Sequence, residues 1–201
     1  MFNFGRQCLR ALACLCCAAS SAMCEWRGFV GAGPGLAILS GDARASVKSV
    51  SFYDAADSAL VHVEAGWHAH DYFSLQGAYA WMRNPVTITS ARIPADVTQT
   101  RFNVEQHHAA ADFMVYFRDR KSWVRPFLSA GAGVSAFRGV NAAKPALRVA
   151  VGVDVLARNG WGFRYSFLET VTANPIGKVL DPPGQKKLMT FQNLFGIVKY
   201  F

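Results

Sequence analysis

From about residue 26 onward, apolar side chains recur at every second position. That period belongs to β-strands, whose successive side chains point to opposite faces, and not to helices. The clearest stretch runs from Ala146 to Ala157. There Leu147, Val149, Val151, Val153 and Val155 share one face, and Arg148, Ala150, Gly152, Asp154 and Leu156 share the other. Trp161, Phe163, Tyr165 and Phe167 likewise oppose Gly162, Arg164, Ser166 and Leu168. Ala109, Ala111, Phe113, Val115 and Phe117 oppose His108, Asp112 and Tyr116, and Val61, Val63, Ala65 and Trp67 oppose His62, Glu64 and His68.

Eight such segments are predicted, at about 26–39, 59–69, 73–83, 106–118, 124–137, 146–157, 161–173 and 189–201. Three connections are short: the turn around His70-Asp71, "DRKS" and "RNG". Four are longer, at about 40–58, 84–105, 138–145 and 174–188, and they hold many of the Pro, Asp, Lys and Ser residues. Short and long connections are expected to alternate strictly. A strand of about ten residues tilted by about 45° crosses a bilayer. A sheet in lipid must close, because an open edge leaves backbone groups unpaired in hydrocarbon. The expectation is therefore all-β: an eight-stranded antiparallel up-and-down transmembrane β-barrel, with both termini on the short-turn side.

The last strand supplies a further signal. Phe191, Phe195, Ile197 and Phe201 fall at alternate positions. This end resembles the C-terminal assembly signal of outer-membrane proteins, with Phe195, Ile197 and Phe201 as its residues; Lys199 departs from it. By architecture the chain from Arg27 to Phe201 resembles the small eight-stranded outer-membrane barrels of the OmpA/OmpX type. The resemblance implies the bacterial outer membrane as location and the outer-membrane assembly machinery as partner. It also implies a monomer among outer-membrane lipids and lipopolysaccharide.

The first residues change the picture of the compartment. Arg6 and Arg10 precede an apolar run from Ala11 to Ala19, and Ser20-Ser21-Ala22 suits a signal-peptide cleavage site. Residues 1–22 read as a signal peptide and 23–201 as the barrel domain. The alternative is acylation at Cys24, for which Ser21-Ala22-Met23 is a poor preceding triplet. Cys8, Cys14, Cys16, Cys17 and Cys24 all lie in this segment, so the exported domain is expected to hold no internal disulfide. The formal charge of +8 points to an anionic partner, but the basic residues are scattered with no run longer than Lys186-Lys187. That argues for an anionic lipid surface and against nucleic acid.

In an eight-stranded barrel the side chains of one face fill the interior. By parity that face carries His62, Glu64, His68, Gln76, His108, Asp112, Tyr116, Arg148, Asp154, Arg164 and Ser166. Enclosed charges need partners. A polar network is expected to join Glu64, Asp112 and Asp154 with Arg148 and Arg164, and to block a wide pore. Metal chemistry is not expected. His68 and His70 share a face, but His62 is about 20 Å from His68 along the strand, and His107 and His108 point apart. "GAGPG" at Gly31–Gly35 lacks the GK[ST] ending of a phosphate loop and reads as a close-packed strand. Some small barrels are lipid A deacylases with a Ser-His-Glu set on the outer wall; here Ser166 and Glu169 have no His nearby in sequence. No cofactor is expected, and the expected function is non-enzymatic, structural or surface-interacting. The alternatives are a narrow channel or carrier for small solutes and an outer-membrane lipid hydrolase. The rival fold is a soluble lipocalin-type barrel, which would enclose the apolar face instead.

Overall fold

The computed structural model describes residues 27–46, 49–92, 96–157, 159–180 and 183–201. The leader at 1–22 and all five cysteines lie outside the described residues. Ten strands account for most of the rest: β1 (Gly28–Leu39), β2 (Asp42–Ala45), β3 (Ser49–Ala55), β4 (Ser58–His68), β5 (Phe73–Arg92), β6 (Asp96–Tyr116), β7 (Val124–Arg138), β8 (Ala142–Leu156), β9 (Trp161–Ala173) and β10 (Lys187–Tyr200). No described helix is long and apolar enough to cross a membrane, a statement that does not touch strands.

Eight of the strands form a closed antiparallel ring in the order β1, β4, β5, β6, β7, β8, β9, β10, with β10 pairing back onto β1. The closing ladder runs from Phe29↔Tyr200 to Leu39↔Thr190. The pairings can be followed once round the wall from Val30 through Ala65, Gly77, Ala111, Ala132, Leu147 and Val171 to Met189. They return to β1 at Ser40, whose amide donates to the Met189 carbonyl at 3.0 Å, ten residues above the start. A stagger of that size in eight strands fixes a tilt of roughly 40°.

Three connections differ from expectation. The segment 84–105 is strand for most of its length: β5 and β6 stay paired from Phe73↔Val115 to Arg92↔Asp96. Asn84-Pro85 reads as a breaker in sequence. In the fold Pro85 falls where the other neighbour of β5 changes, from β4 (ending at Leu60↔Met82) to β3 (starting at Ala55↔Val86). A residue without an amide hydrogen is tolerated at such a changeover. Within 40–58, β2 and β3 pair with each other outside the ring and continue the sheet beside the upper half of β5. The connection at 138–145 shrinks to Gly139–Asn141, with Gly139 and Asn141 at φ 98° and 49°. Gly and Asn adopt this left-handed conformation at least cost. Short and long connections therefore do not alternate strictly: 117–123 at the lower end is longer than this upper turn. Among the described residues, the connection after β9 stays long and carries a 3-10 turn at Gly177–Val179.

The two faces separate by chemistry. Leu36, Val61, Leu75, Phe113, Leu147, Val149, Val151, Phe163 and Ile197 are exposed on the outside of the wall. Glu64, Asp112, Arg148, Asp154 and Arg164 are buried inside it. This is the inversion that distinguishes a lipid-facing barrel from the lipocalin type.

Candidate functional site: the enclosed polar core and the upper vestibule

The interior is stacked in layers. Along β6 the enclosed side chains climb from Tyr116 through Met114, Asp112, His108 and Gln106 to Val104. The lowest layer is aromatic: Phe29, Tyr116, Phe127 and Tyr200 pack together with Met114 and Val198. His68 stacks on Tyr200 at 5.7 Å, and the Arg125 guanidinium lies 3.9 Å from the centroid of the Tyr116 ring.

Arg164 anchors the layer above. Its Nε and Nη2 donate to the two Asp154 carboxylate oxygens at 2.6 and 2.7 Å. Its Nη1 donates to Glu64 Oε1 and Gln76 Oε1, both at 2.8 Å. Nη2 also reaches the hydroxyls of Tyr116 and Tyr200, and the Tyr200 hydroxyl donates to Asp154. Phe29 and Phe127 flank the guanidinium at 4.8 and 5.1 Å. The planar fork of Arg suits a bidentate carboxylate of this kind, and two acids against one base leave the cluster formally anionic.

Arg148 is placed less completely. Its Nη2 lies 3.5 Å from Asp112 Oδ2, while Nε and Nη1 have no hydrogen-bond partner among the described residues. The ion pairs among the five network residues fall in two groups: Glu64, Asp154 and Arg164 in one, Asp112 and Arg148 in the other. Gly131 makes room here, since a Cβ on it would sit 2.1 Å from Asp112 Oδ1.

A second polar chain was not legible from parity. Ser135 Oγ and His108 Nδ1 are 2.6 Å apart, His108 Nε2 and Gln106 Oε1 are 3.2 Å apart, and Gln106 Nε2 donates to Asn84 Oδ1 at 3.4 Å. Asn84 Nδ2 then donates to the Ala56 carbonyl. A Ser–His contact therefore exists across β6 and β7, where sequence distance gave no hint of one. The register His108↔Ser135 is the missing information. Both residues are buried inside the wall, so their contact satisfies polar groups that water does not reach.

His62 and His68 face inward and His70 sits exposed in the lower turn. No group of three His, Cys, Asp or Glu among the described residues is arranged to hold a metal. Gly33 lies against β10 so closely that a Cβ would meet the Phe195 carbonyl oxygen at 1.8 Å. The glycine-rich stretch thus fits its place in a packed strand.

The outer end is closed by apolar packing. Leu39, Tyr53, Val86, Val104, Phe137, Ile176, Leu180 and Leu188 form one buried cluster. Asn174 ties the last connection to it: its Oδ1 accepts from the amides of Ile176 and Gly177, and its Nδ2 donates to the Tyr53 hydroxyl. Burial of Tyr53 raises its phenol above the ordinary value. Beneath this cap the enclosed cavity between Glu64, Asp112, Arg148 and Arg164 measures about 20 Å³, room for about one water molecule. Above it a vestibule of about 730 Å³ opens between the β5–β6 extension, the β7–β8 turn and the 174–186 connection.

Phe195, Ile197 and Phe201 all face outward, and Phe201 exchanges two backbone hydrogen bonds with Gly28, each 2.9 Å. Lys199 Nζ donates to the Asn159 carbonyl at 2.7 Å and lies 5.2 Å from the Trp161 ring. Glu169 points outward, half-buried between Val149 and Phe191 on the neighbouring strands. Higher on the wall Trp81 Nε1 donates to Glu105, and Tyr79 pairs with His107. Arg83, Glu105 and Arg138 stand abreast on β5, β6 and β7.

A closed ring of eight tilted strands, greasy outside and ionic inside, has the fold of the small outer-membrane β-barrels. Solved structures agree. The chain is similar to the outer membrane protein OprG from Pseudomonas aeruginosa, at a TM-score of 0.64 and 10% identity over 88% of this chain and 97% of that one. It is also similar to Neisserial surface protein A, at a TM-score of 0.52 and 15% identity over 87% and 97%. No protein-family model and no curated protein matches the sequence.

Proposed function

We propose that this chain is an integral outer-membrane barrel with a structural or surface-interaction role, non-enzymatic and closed to solutes. The observation that carries this reading is the filled interior: the Arg164 cluster below, the apolar cap above, and a cavity of about 20 Å³ between them. A conducting barrel needs a continuous aqueous path, and an eight-stranded one has little width to spare. The leader at 1–22 directs export and is then cleaved, and assembly follows recognition of Phe195, Ile197 and Phe201 by the outer-membrane assembly machinery. Lipid and lipopolysaccharide surround the monomer. Supporting that environment, Arg83 and Arg138 face outward on β5 and β7, above Tyr79 and Trp81, an arrangement of rings and basic groups that suits a membrane interface.

The test combines fractionation and electrophysiology. The protein is expected in the outer-membrane fraction, migrating differently on a denaturing gel boiled and unboiled. In planar bilayers it is expected to stay silent at high voltage. Discrete conductance steps would replace the closed reading with the channel one. Extraction by mild buffer without detergent would remove the membrane reading altogether.

A further inference from the structure

The vestibule above the cap is a concave site that the closed-barrel reading leaves without a use. One side is the inner face of the β5–β6 extension, where Phe102 and Thr100 look across to Val140 and Pro175. Lys144, at the start of β8, and Lys178, in the 3-10 turn, close the other side. Neither lysine has a carboxylate partner among the described residues, and no described lining residue is acidic. A volume of about 730 Å³ falls in the range of small-molecule sites, which are typically about 300–1,000 Å³. The Phe102, Val140 and Pro175 surfaces offer an apolar body a place to lie, and the two ammonium groups offer its charge a partner. The site lies beyond the apolar cap at the upper end of the ring, not on the hydrocarbon-facing wall, so its occupant arrives from the aqueous phase.

We infer that this vestibule binds a small, water-soluble organic anion with a compact apolar or aromatic body, held by Lys144 and Lys178 over Phe102. The cap beneath stops passage, so the site captures its ligand at the surface and does not conduct it. The inference rests on the reading that this end faces the medium.

The experiment uses the full barrel in phosphatidylcholine nanodiscs, with 1-naphthoate as probe and calorimetry as readout. Uncharged 1-naphthamide serves as the comparison. Saturable binding of the carboxylate is expected, with the amide weaker by about tenfold or more, since a charge-assisted contact contributes roughly that factor. The Lys144→Ala/Lys178→Ala double variant is expected to lose about tenfold for the carboxylate and nothing for the amide. Val140→Trp, which crowds the apolar side beside Phe102 and keeps both charges, is expected to weaken binding of both alike. Each variant is first shown to give the heat-shifted form on a gel. Absence of saturable binding, equal affinity for acid and amide, or an unchanged double variant overturns the inference. None of these results bears on membrane location, which fractionation decides separately.

Discussion

Arg164 shows how much a single enclosed side chain can hold. It donates to Asp154, Glu64, Gln76 and two tyrosines, from strands β4, β5, β6, β8 and β10 as seen from β9. Removing one partner of such a cluster strands charges that cannot reach water. Arg164→Ala is therefore expected to lower stability by about 3–5 kcal/mol, read as a shifted urea midpoint in lipid vesicles. Arg148→Ala, with one long contact to Asp112, is expected to cost less. Outside the wall the electrostatics have a clear sign. In the lower turns Arg120 Nε donates to Asp71 Oδ1 at 2.6 Å and holds that carboxyl below its ordinary value. A depressed carboxyl stabilises the fold fully above the unfolded value of about 3.9. That contribution fades as pH falls through the native value. Arg120→Ala should return the Asp71 titration, followed by NMR, to the ordinary carboxylate range.

At the level of strands, the wall depends on close backbone approach at a few positions. Gly33 faces the β10 backbone with no room for a Cβ. Gly33→Val is expected to prevent β1 from meeting β10, seen as loss of the unboiled fast-migrating form. The eight ring strands were readable because Leu147, Val149 and Val151 alternate with Arg148, Ala150 and Gly152. Many inward residues followed from the same alternation, Glu64, Asp112, Arg148, Asp154 and Arg164 among them, but buried Arg125 was not read as one of them. What alternation cannot supply is which strand neighbours which residue at which height. Arg164 meets Glu64 across a sequence distance of 100 residues, and only closure of the ring creates that contact. Ser135 and His108 stayed hidden for the same reason. The prolines misled in the opposite direction. Pro85 and Pro145 read as loop residues, yet both sit in strands, opposite Asn103 and Val134. Sequence shows that an amide hydrogen is missing, but not whether its absence falls on an interrupted edge.

For the molecule as a whole, the lower end and the upper end differ in kind. Below, aromatic rings and Arg125 seal the ring with side chains from the strands themselves. Above, the seal borrows from outside it: Tyr53 on β3, and Ile176 and Leu180 on the last connection. The upper half of β5 and β6 rises beyond the other strands and forms, with β3 and β2, a sheet continuous with the barrel wall. Ring wall and upper extension are thus one continuous piece of β-structure.

The climb of ten residues per circuit makes every strand a shared ruler. One extra amino acid placed between Ala150 and Val151 would leave the lower half of β8 in register and turn the rest inside out. Leu147 and Val149 would then crowd the ions, while Arg148 met acyl chains. The neighbours β7 and β9 could not absorb the error, because each ring strand is already paired on both sides. Such an insertion is expected to give no folded product in vesicles, whereas the same addition at Asn141, in a hinge only three residues long, should be absorbed locally.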